Sequence, residues 1–135
     1  MPKTVAALLN ARWIAPVEPE GQILEHYALV IQDGRILALL PQAEAATRYT
    51  AETCLNLDQH VLMPGLINAH THASMTLLRG LADDLPLMAW LQDHIWPAEA
   101  RWVNPEFVHD GTRLAIAEML RGGVTCFNDM YFFPE

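Results

Sequence analysis

Cysteine is nearly absent. Cys54 and Cys126 are the only two, they stand far apart, and they form no C-x-x-C pair. Two reduced structural thiols of a cytosolic protein are therefore expected. Basic residues are also few: 8 Lys and Arg against 16 Asp and Glu leave a net charge of −8. Nucleic-acid phosphates demand a basic surface, so that partner class is excluded. Long apolar runs are missing too. The first nine residues hold one lysine and a brief apolar stretch, which Asn10 and Arg12 end early. That is too short for a secretory leader and far too short for a membrane span. No internal repeat and no low-complexity tract is present. What remains is 52% apolar and 18% charged, enough for a sizeable core and unlike a disordered chain.

Residues 1–60 read as β-rich. Val5-Ala6-Ala7-Leu8-Leu9 has strand length, and Trp13-Ile14-Ala15-Pro16-Val17 follows as an edge or irregular strand because it contains proline. Residues 26–31 form a strand, Asp33-Gly34 supplies the positive φ of a tight hairpin, and residues 35–40 return as its partner. A short helix over residues 41–49 and a short strand over 53–57 complete this part.

The second part opens on Leu62-Met63-Pro64-Gly65-Leu66-Ile67-Asn68-Ala69-His70-Thr71-His72. Residues 61–68 are almost continuously apolar, as in a strand covered on both faces. His70 and His72 are separated by one residue, so in an extended strand both project from the same face, at the end of the segment. Neutral imidazole is a common ligand for zinc, and the pair reads as half of a metal site. Two partly buried structural histidines at a strand end would leave the same pattern. Asp83, Asp84 and Pro86 resemble a helix start; Leu87, Met88, Leu91 and Ile95 fall on one stripe, and Pro97 ends that helix. Asn104-Pro105-Glu106 begins a second helix, over residues 105–121, with Asn104 as cap and Gly122-Gly123 as stop. Phe107, Val108, Leu114, Ala115 and Met119 form its apolar face. Residues 124–129 are a second strand, and the strand–helix–strand order predicts a parallel pair with a right-handed crossover. Asp129 reads as a strand-end carboxylate bonded to a loop. His26, His60, His94 and His109 lack ligand spacing and read as structural.

Met-Pro-Gly-Leu-Ile-Asn-Ala-His-Thr-His, residues 63–72, resembles the first-strand signature of the amidohydrolase superfamily. The resemblance implies an α/β fold: the start of a metal-dependent (β/α)8 TIM barrel over residues 61–135. Residues 1–60 would be the N-terminal part of a composite β-sandwich. A barrel of this kind takes about 250 residues, so the chain is expected to be an N-terminal fragment. It further implies that His70 and His72 are the first ligands of one zinc per complete subunit. Bound zinc acidifies water to a pKa of about 7. The remaining ligands and a proton-shuttle glutamate would lie beyond these 135 residues, so no catalytic residue is assigned here.

The block from Arg79 to Glu99, containing Leu85-Pro86-Leu87-Met88-Ala89-Trp90-Leu91 and His94-Ile95-Trp96-Pro97-Ala98-Glu99, resembles bacterial 5'-methylthioadenosine/S-adenosylhomocysteine deaminases. In that family a glutamate at the position of Glu99 accepts from the two ribose hydroxyls, which suits a carboxylate with two acceptor oxygens. A solvated glutamate after a proline turn is the plainer alternative. Trp90 and Met75 are candidates for the adenine or thioether pocket, or else core residues. The implied reaction is hydrolytic deamination at C6 of a small-molecule nucleoside, in the cytoplasm, without membrane or nucleic-acid partners. Homo-oligomerisation is left open. The rival readings are a guanine deaminase or triazine hydrolase of the same superfamily, and a non-catalytic β-rich fragment.

Overall fold

The computed structural model describes residues 1–134. It is a mixed α/β structure that divides into two compact units, Met1–Pro64 and a second from Gly65 onward. Among the described residues no helix is long and apolar enough to cross a membrane.

The first unit is a four-stranded sheet in the order β3-β2-β1-β4. Its strands are β1 (Lys3–Ile14), β2 (Leu24–Gln32), β3 (Arg35–Pro41) and β4 (Tyr49–Leu62), with helix α1 (Gln42–Arg48) between the last two. The β2–β3 hairpin turns at Asp33 and Gly34, with φ of 53° and 70°, the left-handed pair that a two-residue hairpin requires. Val5, Leu8, Ala28, Val30, Leu40 and Ala45 form the buried cluster. Two expectations are corrected. Residues 5–9 and 13–14 belong to one strand, and that strand is interior, antiparallel to β2 and parallel to β4. Pro16 lies beyond its end, so the missing N–H breaks no ladder. The short strand expected at 53–57 extends over all of β4, because β4 pairs along β1 from Tyr49 to Leu57 and again at Val61 and Leu62, across a register shift.

The second unit holds two parallel strands, β5 (Leu66–Thr71) and β6 (Val124–Asp129). Val61 and Leu62 belong to β4 and not to the strand that bears the histidines; Met63, Pro64 and Gly65 separate the two. After β5 come a 3-10 turn over Ala73–Leu78 and α2 (Leu87–Trp90). A π turn over Leu91–Ile95, α3 (Trp96–Trp102) and α4 (Pro105–Arg121) follow. Helix α4 begins and ends as its sequence dictates. Asn104 Oδ1 accepts from the Phe107 N–H at 2.9 Å, Pro105 fills the first turn, and Gly123 closes the helix at φ 80°. Its apolar face is only partly covered: Ala115 is buried, but Leu114 is exposed. Leu66 and Ile67 are also exposed, the latter at 72%. Among the described residues no layer covers these two side chains, and β5 has β6 as its one hydrogen-bonded neighbour.

The first helical block departs further. Pro86 precedes α2 as its cap residue, and Asp83 and Asp84 make no cap bond. Asp84 instead has a φ of 64°, in a turn before the helix. Pro97 does not end the block but stands in the first turn of α3, which runs on to Trp102. In a regular helix proline removes the bond to the residue four back and clashes with its carbonyl. Here the wide turn just before it takes up the difference: the Trp96 N–H bonds to the Leu91 carbonyl, five residues back.

Candidate functional site

His70 is the fifth residue of β5, and His72 is the first residue after the strand. Both are exposed. Their rings stand 5.2 Å apart at 78°, edge to face, so the spacing of two does bring both imidazoles to one point. His72 is held from behind. Its Nδ1 lies 2.6 Å from the Met130 carbonyl; since a carbonyl only accepts, Nδ1 carries the proton, and in the neutral ring Nε2 keeps its lone pair. Metal-binding histidines are commonly oriented in this way. The Met130 N–H in turn donates to the Thr71 carbonyl at 3.1 Å, which fastens the ends of β5 and β6 together.

Asp129, the last residue of β6, accepts from the Ala73 N–H at 3.0 Å. It is thus a strand-end carboxylate bonded to a loop, as its position suggested. No group of three His, Cys, Asp or Glu side chains converges among the described residues. The histidine pair fits a divalent metal in donor type and exposure, and His72 fits it in tautomer as well.

A cleft of about 390 Å³ opens next to His72. Met75, Trp90, Glu99, Met130 and Tyr131 share its wall with His72. One cavity therefore joins four of the five residues singled out in the sequence; His70 is not in the wall and meets it through its neighbour. The Trp90 indole N–H donates to the Leu81 carbonyl at 3.1 Å. Its polar atom is thereby used, and its ring is free to act as an apolar surface.

The π turn explains how Glu99 reaches the cleft. Nine residues of regular helix make about two and a half turns, which would set Glu99 opposite Trp90. A turn bonded i to i+5 takes up one extra residue, so the rotation from Trp90 to Glu99 equals that of about eight residues, near a quarter turn apart. Wide turns of this kind are frequent at functional sites.

Tyr131 escaped the sequence reading. Its hydroxyl donates to Glu99 Oε1 at 2.7 Å, and its ring lies 6.1 Å from that of His72. Burial pushes the Tyr131 phenol well above its usual range, and the hydrogen bond to Glu99 and that carboxylate's charge raise it further. The Ser74 hydroxyl acts in the opposite direction. The phenol stays a donor as a result. A signal was available: in the barrel that the sequence resemblance implies, active sites gather just past the C-terminal ends of the strands, and Tyr131 is two residues past β6. Neither His94 nor His109 lines the cleft, and His109 pairs with Asp110 at 3.0 Å on the exposed surface.

The family model described as "Amidohydrolase family" matches residues 61–134. A 5-methylthioadenosine/S-adenosylhomocysteine deaminase of Saccharophagus degradans is 58% identical over 134 residues, which are 98% of this chain and 30% of the relative. The crystal structure of an adenosine deaminase from Xanthomonas campestris with bound zinc superposes with a TM-score of 0.94 at 54% identity. It covers 98% of this chain and 30% of that one. A zinc complex of atrazine chlorohydrolase from Arthrobacter aurescens TC1 shares the fold, with a TM-score of 0.81 at 20% identity over 94% of this chain and 29% of that one. The chain spans about 30% of the length of these relatives. The model match covers more than half of the 135 residues, the stretch that carries the histidine pair, the cleft and both parallel strands, and the chain belongs to the amidohydrolase family.

Proposed function

We propose that this chain is the N-terminal portion of a metal-dependent hydrolytic deaminase. Its substrates are adenosine-type nucleosides of the 5'-methylthioadenosine and S-adenosylhomocysteine class, converted to the inosine analogue and ammonia. The observation that carries this reading is the single cleft that joins His72 to Glu99, Trp90 and Met75. The names of the relatives at high identity favour the nucleoside substrate. In this reading residues 1–60 belong to a composite β-sandwich and residues 61–135 open a (β/α)8 barrel.

His70 and His72 are the residues that would hold zinc. When bound, such a metal supplies a water acidic enough to act as a nucleophile at neutral pH. The chain's own residues bind and orient. Glu99 accepts from the ribose hydroxyls, the face of Trp90 packs on the purine, and Met75 adapts to the thioether. The proton shuttle and the remaining metal ligands belong to later strands.

The test uses the full-length protein, an ultraviolet assay of adenosine loss and metal analysis. Glu99→Ala should raise KM for nucleosides by about tenfold to a hundredfold, the worth of hydrogen bonds to a charged group, with zinc content unchanged. An unaltered KM would point to a free base or a triazine as substrate. A protein that holds no metal would sink the enzymatic reading as a whole.

A further inference from the structure

We infer that Tyr131 is a positioning residue for Glu99: its hydroxyl fixes the carboxylate so that the enzyme selects a substrate with an intact ribose diol. This rests on the ribose role proposed above for Glu99.

The geometry is specific. Glu99 comes from α3, and Tyr131 comes from the segment after β6, far away in sequence. Tyr131 is the one side chain among the described residues that hydrogen-bonds to Glu99, at 2.7 Å, and both line the cleft that His72 lines. Without that bond Glu99 would be a half-buried carboxylate on a flexible stem, free to turn towards water. With it, one lone pair of Oε1 is engaged, while Oε2 and the second lone pair of Oε1 stay open. A vicinal diol needs two acceptors side by side, and that is what remains. The tyrosine is itself held, since its ring packs edge-on against Phe132 with centroids 4.9 Å apart and the preceding residue, Met130, is pinned to Thr71 and His72. The strand end that orients the metal-binding histidine therefore also orients the sugar-binding carboxylate.

The experiment compares adenosine with 2',3'-dideoxyadenosine in the full-length, zinc-loaded protein and in Tyr131→Phe, Glu99→Ala and the double variant. Tyr131→Phe is expected to raise KM for adenosine by about tenfold, the loss of one charge-assisted hydrogen bond, with kcat within about twofold. For the dideoxy substrate KM should hardly move, and adding Tyr131→Phe to Glu99→Ala should change nothing further. An equal rise for both substrates, or a rise that persists without Glu99, marks a merely structural contact and overturns the inference. If Glu99→Ala abolishes the ribose preference and Tyr131→Phe leaves it intact, the positioning role alone falls. If Glu99→Ala leaves that preference untouched, the ribose reading fails and takes the positioning role with it. A wild-type measurement covers the case of a Tyr131→Phe protein that does not fold. In a complex with purine riboside, which lacks the leaving amine, Tyr131 must still donate to Glu99 while Glu99 accepts from the ribose, and a broken contact there overturns the inference equally.

Discussion

At the scale of single residues, the packing beneath the cleft turns on Gly111. It is buried in the middle of α4, where glycine costs about 1 kcal/mol relative to alanine. A Cβ at this position would lie 2.6 Å from the Ser74 carbonyl oxygen and 2.8 Å from the Ser74 Cα. Both are backbone atoms of the 3-10 turn that carries Met75, so neither can swing aside. Overpacking costs about 1–3 kcal/mol and occasionally more, which exceeds the gain in helix propensity. Gly111→Ala should therefore lower the thermal midpoint of the protein, whereas Gly122→Ala, whose Cβ meets nothing closer than 3.5 Å, should do so much less. Equal midpoints would show that α4 and the turn are free to separate. The sequence shows a glycine in a helix but not its reason, because the atom that forbids a Cβ comes from a distant segment. Tyr131 and Glu99 were illegible as a pair for the same cause. By contrast His70 and His72 needed only the period of a strand, and the alternation that points them together is local.

Whole elements divide along the same line. Helix α4 was legible from end to end, since its cap at Asn104, its Pro105 start and its Gly122-Gly123 stop all act within one turn of the chain. The helical block over residues 87–102 was not. Pro97 reads as a terminator, and only the adjoining π turn, which no local propensity encodes, lets the helix pass through it. This yields a prediction that separates orientation from stability. Deleting the exposed Gln92 leaves eight residues from Trp90 to Glu99, which a regular helix turns through about the same angle as the present nine. KM for nucleosides should then stay within about threefold, because a hydrogen bond that is merely retained costs nothing. The thermal midpoint should fall, because Pro97 then stands in regular helix, at a cost of about 3 kcal/mol. A KM as high as that of Glu99→Ala would mean that the wide turn does more than absorb one residue.

For the molecule as a whole, the apolar pattern was readable but its partners were not. Residues 61–68 look like a strand enclosed on both faces, yet Leu66 and Ile67 are exposed, as are Leu114, Ile116 and Leu120 on α4. A parallel pair of strands alone presents open edges, and two-stranded sheets are marginal in water. In the proposed barrel, further strands would cover these side chains and bring the missing metal ligands. A catalytic zinc usually has three protein ligands and an open position, and only the His70–His72 pair is offered by the described residues. Residues 1–135, purified without any second polypeptide, should accordingly hold zinc much more weakly than the full-length protein and show no deamination in the ultraviolet assay. Their exposed apolar faces should make them bind a hydrophobic dye and self-associate as concentration rises. Steady deamination by this piece alone would mean that two imidazoles and one cleft suffice, and that the rest of the barrel contributes stability and not chemistry.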